Sequence, residues 1–125
     1  CYVDDQARYA LIAQLPIFRA GLDRILNEAE DHTTALMCSE ADPLTCHRTV
    51  LVCRELVKLR PGLRITHILP DGSGEPHEAA LDRLVELHKL EPELFGELSS
   101  HEGLVERAYD LQAERIAYTR ALAEP

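Results

Sequence analysis

The sequence predicts an α/β fold with a parallel βαβ core, part of a larger three-layer α/β/α domain. Three observations predict it. Thr33-Thr34-Ala35-Leu36-Met37-Cys38 is a compact, mostly apolar run, the pattern of a buried strand. Arg64-Ile65-Thr66-His67-Ile68-Leu69 is a second run of the same kind. Between them Val50, Cys53, Leu56 and Val57 share one helical face until Pro61-Gly62 stops it. A strand–helix–strand crossover is right-handed in nearly all cases and sets its two strands parallel. Strands 33–38 and 64–69 are therefore expected side by side, with the helix across them.

The remaining elements follow in order. Asp4 to Ala13 reads as a short helix. Pro16 starts a second, in which Phe18, Leu22, Ile25, Leu26 and Ala29 recur at helical spacing to about Glu30. Ser39 to Thr45 is a loop whose Asp42-Pro43 pair signals a turn or a helix start. Pro70-Asp71-Gly72-Ser73-Gly74 is a turn cluster. A helix from Pro76 to about Lys89 presents Leu81, Leu84, Val85 and His88. The stretch Glu91 to Gly103 is looser. A last helix runs from Glu102 to Leu122 with Val105, Ala108, Gln112 and Ile116 along it.

The chain has 125 residues, 46% apolar and 28% charged, which fits one globular domain and excludes a disordered or collagen-like chain. No apolar run is long enough to span a membrane, and no signal peptide is apparent. The chain begins at Cys1, which reads as a fragment. Two strands alone make a thin sheet with open edges, so a missing amino-terminal half or a homodimer is expected to complete it.

The net charge of −9 is uneven. Residues 1–45 carry three cationic and eight anionic side chains. Residues 46–64 carry Arg48, Arg54, Lys58, Arg60 and Arg64 against Glu55 alone. Residues 65–125 are acidic again. Such a chain is a poor binder of nucleic acid. Its basic stretch either holds a small anion or pairs with the acidic flanks.

Cys1, Cys38, Cys46 and Cys53 are the four cysteines. Cys46 and Cys53 fall on one expected helix roughly 10 Å apart, too far for a disulfide. Reduced thiols in the cytoplasm are the default reading.

Ligands of open α/β sheets sit at the carboxyl ends of the strands. That rule gathers Cys38, Ser39, Glu40, Cys46, His47, Arg48, His67 and His77 on one rim. A thiol at a helix amino terminus, beside Arg or His, has its thiolate stabilised. The effect is strong if Thr45 caps the helix and weaker if Asp42 does, with Pro43 at the first position. Cys46 is accordingly expected within about 5 Å of Arg48, Cys38 or His67, with a depressed pKa. Packing roles compete throughout. Cys38 reads equally as a small buried hydrophobe, His67 as a hydrogen-bonded core residue, and Arg48 as a staple to Glu40 across the loop.

Cys38-Ser39-Glu40, then Cys46-His47-Arg48 after five residues, then Thr66-His67-Ile68 and His77, resembles the DUF488 family. So do Tyr9, Pro16 and Phe18 in the preceding helix. The family comprises bacterial and archaeal proteins of uncharacterised function. The resemblance spans about residues 5–85. It implies a single domain over 1–125 whose tail, 86–125, is a helical extension. Family members begin with an Asp-Val-Arg segment and a Pro-x-Ser turn that this sequence lacks. The chain therefore resembles the carboxyl-terminal half of that domain.

Three functions compete for these residues. In a thiolate enzyme, Cys46 is the nucleophile or sulfur carrier. Arg48 binds a small anionic ligand, His47 or His67 moves protons, and Glu40 orients Arg48. In a metal site, Cys38, Cys46 and His67 supply three ligands, zinc being the expected ion and His77 or water the fourth ligand. In a non-catalytic binding module, the Cys-Glu-Cys-His-Arg network is a polar staple that shapes a recognition loop. No glycine-rich nucleotide loop and no nucleophile elbow is present, and no organic cofactor is expected.

Overall fold

The computed structural model describes residues 1–91 and 100–119. In order these are β1 (Tyr2–Val3), β2 (Gln6–Ala7), α1 (Tyr9–Ile12) and α2 (Pro16–Asp31). A 3-10 turn (Pro43–Thr45), a π-helical segment (Arg48–Cys53) and α3 (Arg54–Leu59) follow. The last elements are β3 (Thr66–Ile68), β4 (Gly74–Pro76), α4 (His77–Leu87) and α5 (His101–Ile116).

The fold is predominantly helical, and the parallel βαβ core is absent. The described strands form two antiparallel pairs, β1 with β2 and β3 with β4. Residues 33–38 form no strand; Met37 is 95% exposed and Leu36 alone packs, against the Leu22–Leu26–Leu56 cluster. The reason lies in the second run, which finds a closer partner. Leu69-Pro70-Asp71-Gly72 makes a tight turn, with Gly72 N–H donating to the Leu69 carbonyl at 2.9 Å. Gly72 sits at φ +86°, the left-handed residue that follows a type I turn in a three-residue hairpin loop. Asp71 accepts from the Ser73 N–H and hydroxyl. The local hairpin closes at little entropic cost, and β3 takes β4 as its partner. Without a sheet to join, 33–38 lies on the surface.

The expected helix Asp4–Ala13 is also shortened to α1. Asp4 and Asp5 both adopt positive φ, at 51° and 64°, which makes a type I′ hairpin of β1 and β2. That hairpin docks on the far end of the chain. The Ala7 N–H donates to the Tyr118 carbonyl at 2.8 Å, and Tyr2 meets Tyr118 edge-on. Helix α5 ends at Ile116, with Ala117 extended, rather than running towards Leu122; residues 120–122 of that expectation lie outside the described residues. So does most of the looser stretch, 92–99.

Helix α2 forms as its periodicity predicts, with Pro16 in its first turn and Leu22 and Leu26 buried. These pack on Leu56 of α3. The larger core joins Leu44 and Val50 to Ala80 and Leu84 of α4 and Val105, Ala108 and Tyr109 of α5. Helix α4 ends before Lys89, whose φ of 53° and the Leu90 N–H to Val85 carbonyl bond close it as a Schellman motif. The segment from Leu44 to Leu56 thus contributes to both cores, and this fixes the residues that precede it.

Between β3, α4 and α5 lies a buried polar chain. His67 Nε2 is 2.9 Å from His77 Nδ1, and His77 Nε2 is 3.1 Å from the Tyr109 hydroxyl. Neutral imidazoles satisfy it: Tyr109 donates to His77, and His77 donates to His67. Burial, with His67 close by, pushes His77 down to about 4. Burial also lowers His67. A base whose folded pKa is depressed loses stability as pH falls, because the unfolded chain takes the proton first. The window runs from 6.5, the ordinary value, down to about 4. By pH 4, His77 alone should cost about 3 kcal/mol of folding free energy. Urea unfolding at pH 7 and pH 4 should show the parent losing that much more than His77→Gln. Parallel losses in the two proteins would refute the neutral-imidazole account.

Candidate functional site

The site is built by the way the chain enters its central helix. Asp42 caps the 3-10 turn, its carboxylate accepting from the Leu44 N–H at 3.0 Å, with Pro43 leading the turn. Cys46 then breaks the helical path with φ −124° and ψ 139°. Its carbonyl accepts from the N–H groups of Thr49 and Val50, each at 3.2 Å. Its Sγ accepts from the Arg48 N–H at 3.3 Å. Asp42 therefore caps only the short turn, and Cys46 itself occupies the capping position of the longer helix, in place of Thr45. The helix opens as a π segment, Arg48–Cys53, which buries Thr49, Val50, Leu51 and Cys53. Single π turns of this kind concentrate at functional sites.

Against this entry lies Cys38. Its Sγ is 3.8 Å from His47 Nδ1. The Sγ atoms of Cys38 and Cys46 and one ring nitrogen of His47 all lie within 4.8 Å of one another. All four cysteines are free thiols. The two site thiols differ in access: Cys38 is partly exposed, whereas Cys46 is only 1% exposed. His47 is exposed.

Their electrostatics differ in the same sense. A hydrogen bond from the Cys46 thiol is the main influence drawing Cys38 below the ordinary thiol value; the Glu40 N–H, the Ser39 N–H and the Arg48 charge assist. Burial, and then the bond to Cys38, pushes Cys46 up to about 11, against the Arg48 N–H and charge. The expectation of a readily ionised Cys46 is thus corrected. Desolvation of a buried thiol outweighs the partial charge of one helix terminus. Cys53, buried one turn and more beyond, is pushed up to about 11 by burial as well.

The other expected site residues are placed as follows. Arg48 Nη2 donates to the main-chain carbonyl of Glu40 at 3.4 Å, so the loop is stapled through backbone. The Glu40 carboxylate instead accepts from the Ser39 hydroxyl. His67 and His77 pair with each other and with Tyr109 in the interior, and it is His47 that the structure groups with the two thiols. Two clefts, of about 460 and 440 Å³, open elsewhere and include none of Cys38, Cys46 or His47 in their walls. The evidence of a site at the thiols is the chemistry of the grouped residues.

Arg83 is a supporting residue that sequence reasoning missed. It bonds Glu75 at 2.9 and 3.1 Å and Asp42 at 3.3 Å, tying β4 to the cap of the 3-10 turn. Nothing in the spacing of these three residues signals the contact. Tyr109 was missed too, although its place on the same helical face as Val105, Ala108 and Gln112 marks it as inward-facing.

Residues 2–54 match the family model of DUF488, a domain of unknown function. The match includes Cys38-Ser39-Glu40 and Cys46-His47-Arg48, the motifs on which the resemblance rests, and shows that resemblance over this part of the chain. Thr66-His67-Ile68 and His77 lie beyond it. No curated protein and no solved structure matches the chain. Among the described residues no helix is long and apolar enough to cross a membrane.

The charge of Arg48 gives a test of the electrostatics. Arg48→Met keeps the aliphatic stem and removes the cation. The pH midpoint for Cys38 alkylation should rise, with thermal stability little changed. An unmoved midpoint would show that Arg48 acts on the loop alone.

Proposed function

We propose that the DUF488-matching segment carries a thiolate centre in which Cys38 is the reacting sulfur. The observation that carries this reading is the juxtaposition of a partly exposed Cys38 with His47 Nδ1 at 3.8 Å and with the buried Cys46 thiol, all within 4.8 Å. An accessible sulfur with a base beside it and a donor behind it is the arrangement of an activated nucleophile. In this reading Cys38 takes the role expected of Cys46. Cys46 is the shielded thiol beside the Cys38 sulfur. His47 accepts or returns a proton. Arg48 supplies positive charge that favours the thiolate and an anionic group near it, while its bond to the Glu40 carbonyl fixes the loop. His67 takes no part.

A specific observation favours a second reading, a metal centre. Zinc bonds of about 2.3 Å to sulfur and 2.05 Å to nitrogen separate tetrahedral S and N ligands by about 3.6 Å. The Cys38–His47 separation of 3.8 Å is close to that. Cys38, Cys46 and His47 would then hold the ion with one position open, which is the pattern of reactive rather than structural zinc sites.

Alkylation with iodoacetamide at a series of pH values, read by peptide mapping, tests the first reading. Cys38 should label first, at lower pH than an ordinary thiol, and Cys46 and Cys53 should lag. Cys46→Ala should shift the Cys38 midpoint upward. Fast labelling of Cys46, or of no thiol below pH 8, rejects Cys38 as the reacting sulfur. Protection of Cys38 and Cys46 together by stoichiometric zinc, reversed by a chelator and accompanied by a higher melting temperature, selects the metal centre.

A further inference from the structure

We propose that Cys38 and Cys46 form a dithiol–disulfide pair that reduces small anionic disulfides. The inference rests on the thiolate reading above and adds its reaction and its substrate class.

The argument starts from access. Cys46 is 1% exposed and Cys38 is partly exposed, so an incoming disulfide meets only Cys38. The two sulfurs nevertheless lie within 4.8 Å of each other. A disulfide needs them at about 2.05 Å. Of the two partners, Cys38 is the one outside regular structure. No regular element lies between Asp31 and Pro43, so Cys38 sits on a segment without a hydrogen-bond ladder. The other partner is fixed, because Cys46 caps the helix through both its carbonyl and its sulfur. An accessible sulfur outside regular structure, beside a shielded sulfur at the helix entrance, gives the reaction a definite order.

In the first step the Cys38 thiolate attacks one sulfur of the substrate. The substrate S–S bond breaks, a mixed disulfide forms on Cys38, and one thiolate leaves. In the second step the Cys46 thiol gives its proton to His47, and its sulfur attacks Cys38 Sγ. The mixed disulfide breaks, the Cys38–Cys46 bond forms, and the second thiolate leaves and takes the proton. Two protein thiols are oxidised by two electrons and the substrate disulfide is reduced to two thiols. A dithiol reductant returns the pair to its starting state.

The anionic preference comes from Arg48. Among the described residues Arg54 pairs with Glu106 and Asp110, Lys58 with Glu55, and Arg60 with Glu30. The Arg48 guanidinium is bound to a neutral carbonyl instead and keeps its charge for an incoming anion.

The test uses the full chain carrying Cys1→Ser and Cys53→Ser, which leaves both site thiols in place. The probes are 5,5′-dithiobis(2-nitrobenzoate), a dianion, and cystamine, a dication. The parent should release two thiolates per chain from the dianion and retain no adduct. Cys46→Ser should release one and keep a mixed disulfide on Cys38. Cys38→Ser should release none at a comparable rate. The dianion should react roughly tenfold faster than cystamine after correction for their intrinsic reactivities, and Arg48→Met should remove that difference. A parent that alkylates rapidly at Cys38 yet keeps a stable mixed disulfide overturns the exchange reaction and leaves the thiolate reading standing. A Cys38 that neither alkylates nor exchanges below pH 8 overturns both. Equal rates with the two probes reject the anionic substrate class.

Discussion

The burial of Cys46 at the entrance to the central helix is the constraint on which the site depends. Its sulfur and carbonyl accept from three backbone N–H groups of the first helical turn, those of Arg48, Thr49 and Val50. Its neighbours Leu44 and Val50 are anchored in the larger core, and Leu56 in the smaller one. The residue can move only if the core moves. The same burial keeps its thiol protonated beside Cys38. One packing fact therefore sets both the position of the buried thiol and the difference in ionisation between the two thiols.

The support for that entrance is distributed. Asp42 caps the preceding turn and also receives Arg83, which is itself paired with Glu75 on β4. Gln112 of α5 donates to the Leu44 carbonyl at 2.6 Å. Arg54 lies over the Tyr109 ring, 4.8 Å from its centroid, while paired with two carboxylates of α5. Each contact links the segment around the π turn to an element on the carboxyl-terminal side of the chain. The thiol motifs lie within the family-matched residues, whereas the scaffold that positions them lies largely outside.

Helices α2, α3 and α4 were legible because their apolar periodicity matches their burial, and Pro16 and Pro61-Gly62 mark real boundaries. The sheet was not. An apolar run such as 33–38 looks the same whether it is a buried strand or a surface segment, and only a pairing partner decides between them. The turn Pro70-Asp71-Gly72 gave that partner to residues 66–68 locally, and β3 turned only His67 inward, with Thr66 and Ile68 exposed. That alternation is the mark of an antiparallel edge, not of a buried parallel strand. The Asp4-Asp5 turn was hidden for another reason. Positive φ at two successive aspartates is uncommon, and the sequence carries no glycine or asparagine there to signal it.

The expected rim rested on the sheet, but the proximity of Cys38 to Cys46 and His47 survives its loss because the connecting loop supplies it. Seven residues separate the two thiols, and a capped turn at 43–45 folds that stretch back on itself whatever precedes it. The inclusion of His67 depended on parallel strands, and with those gone it joins His77 in the interior. The basic stretch 46–64 resolves similarly. Three of its cations are paired with carboxylates: Arg54 with α5, Arg60 with α2, and Lys58 with Glu55 within α3. Arg48, three residues before the last of the buried π-turn apolar positions Val50 and Leu51, is directed back along the loop to Glu40. The charge of Arg48 is thus placed by the same helix entrance that buries Cys46.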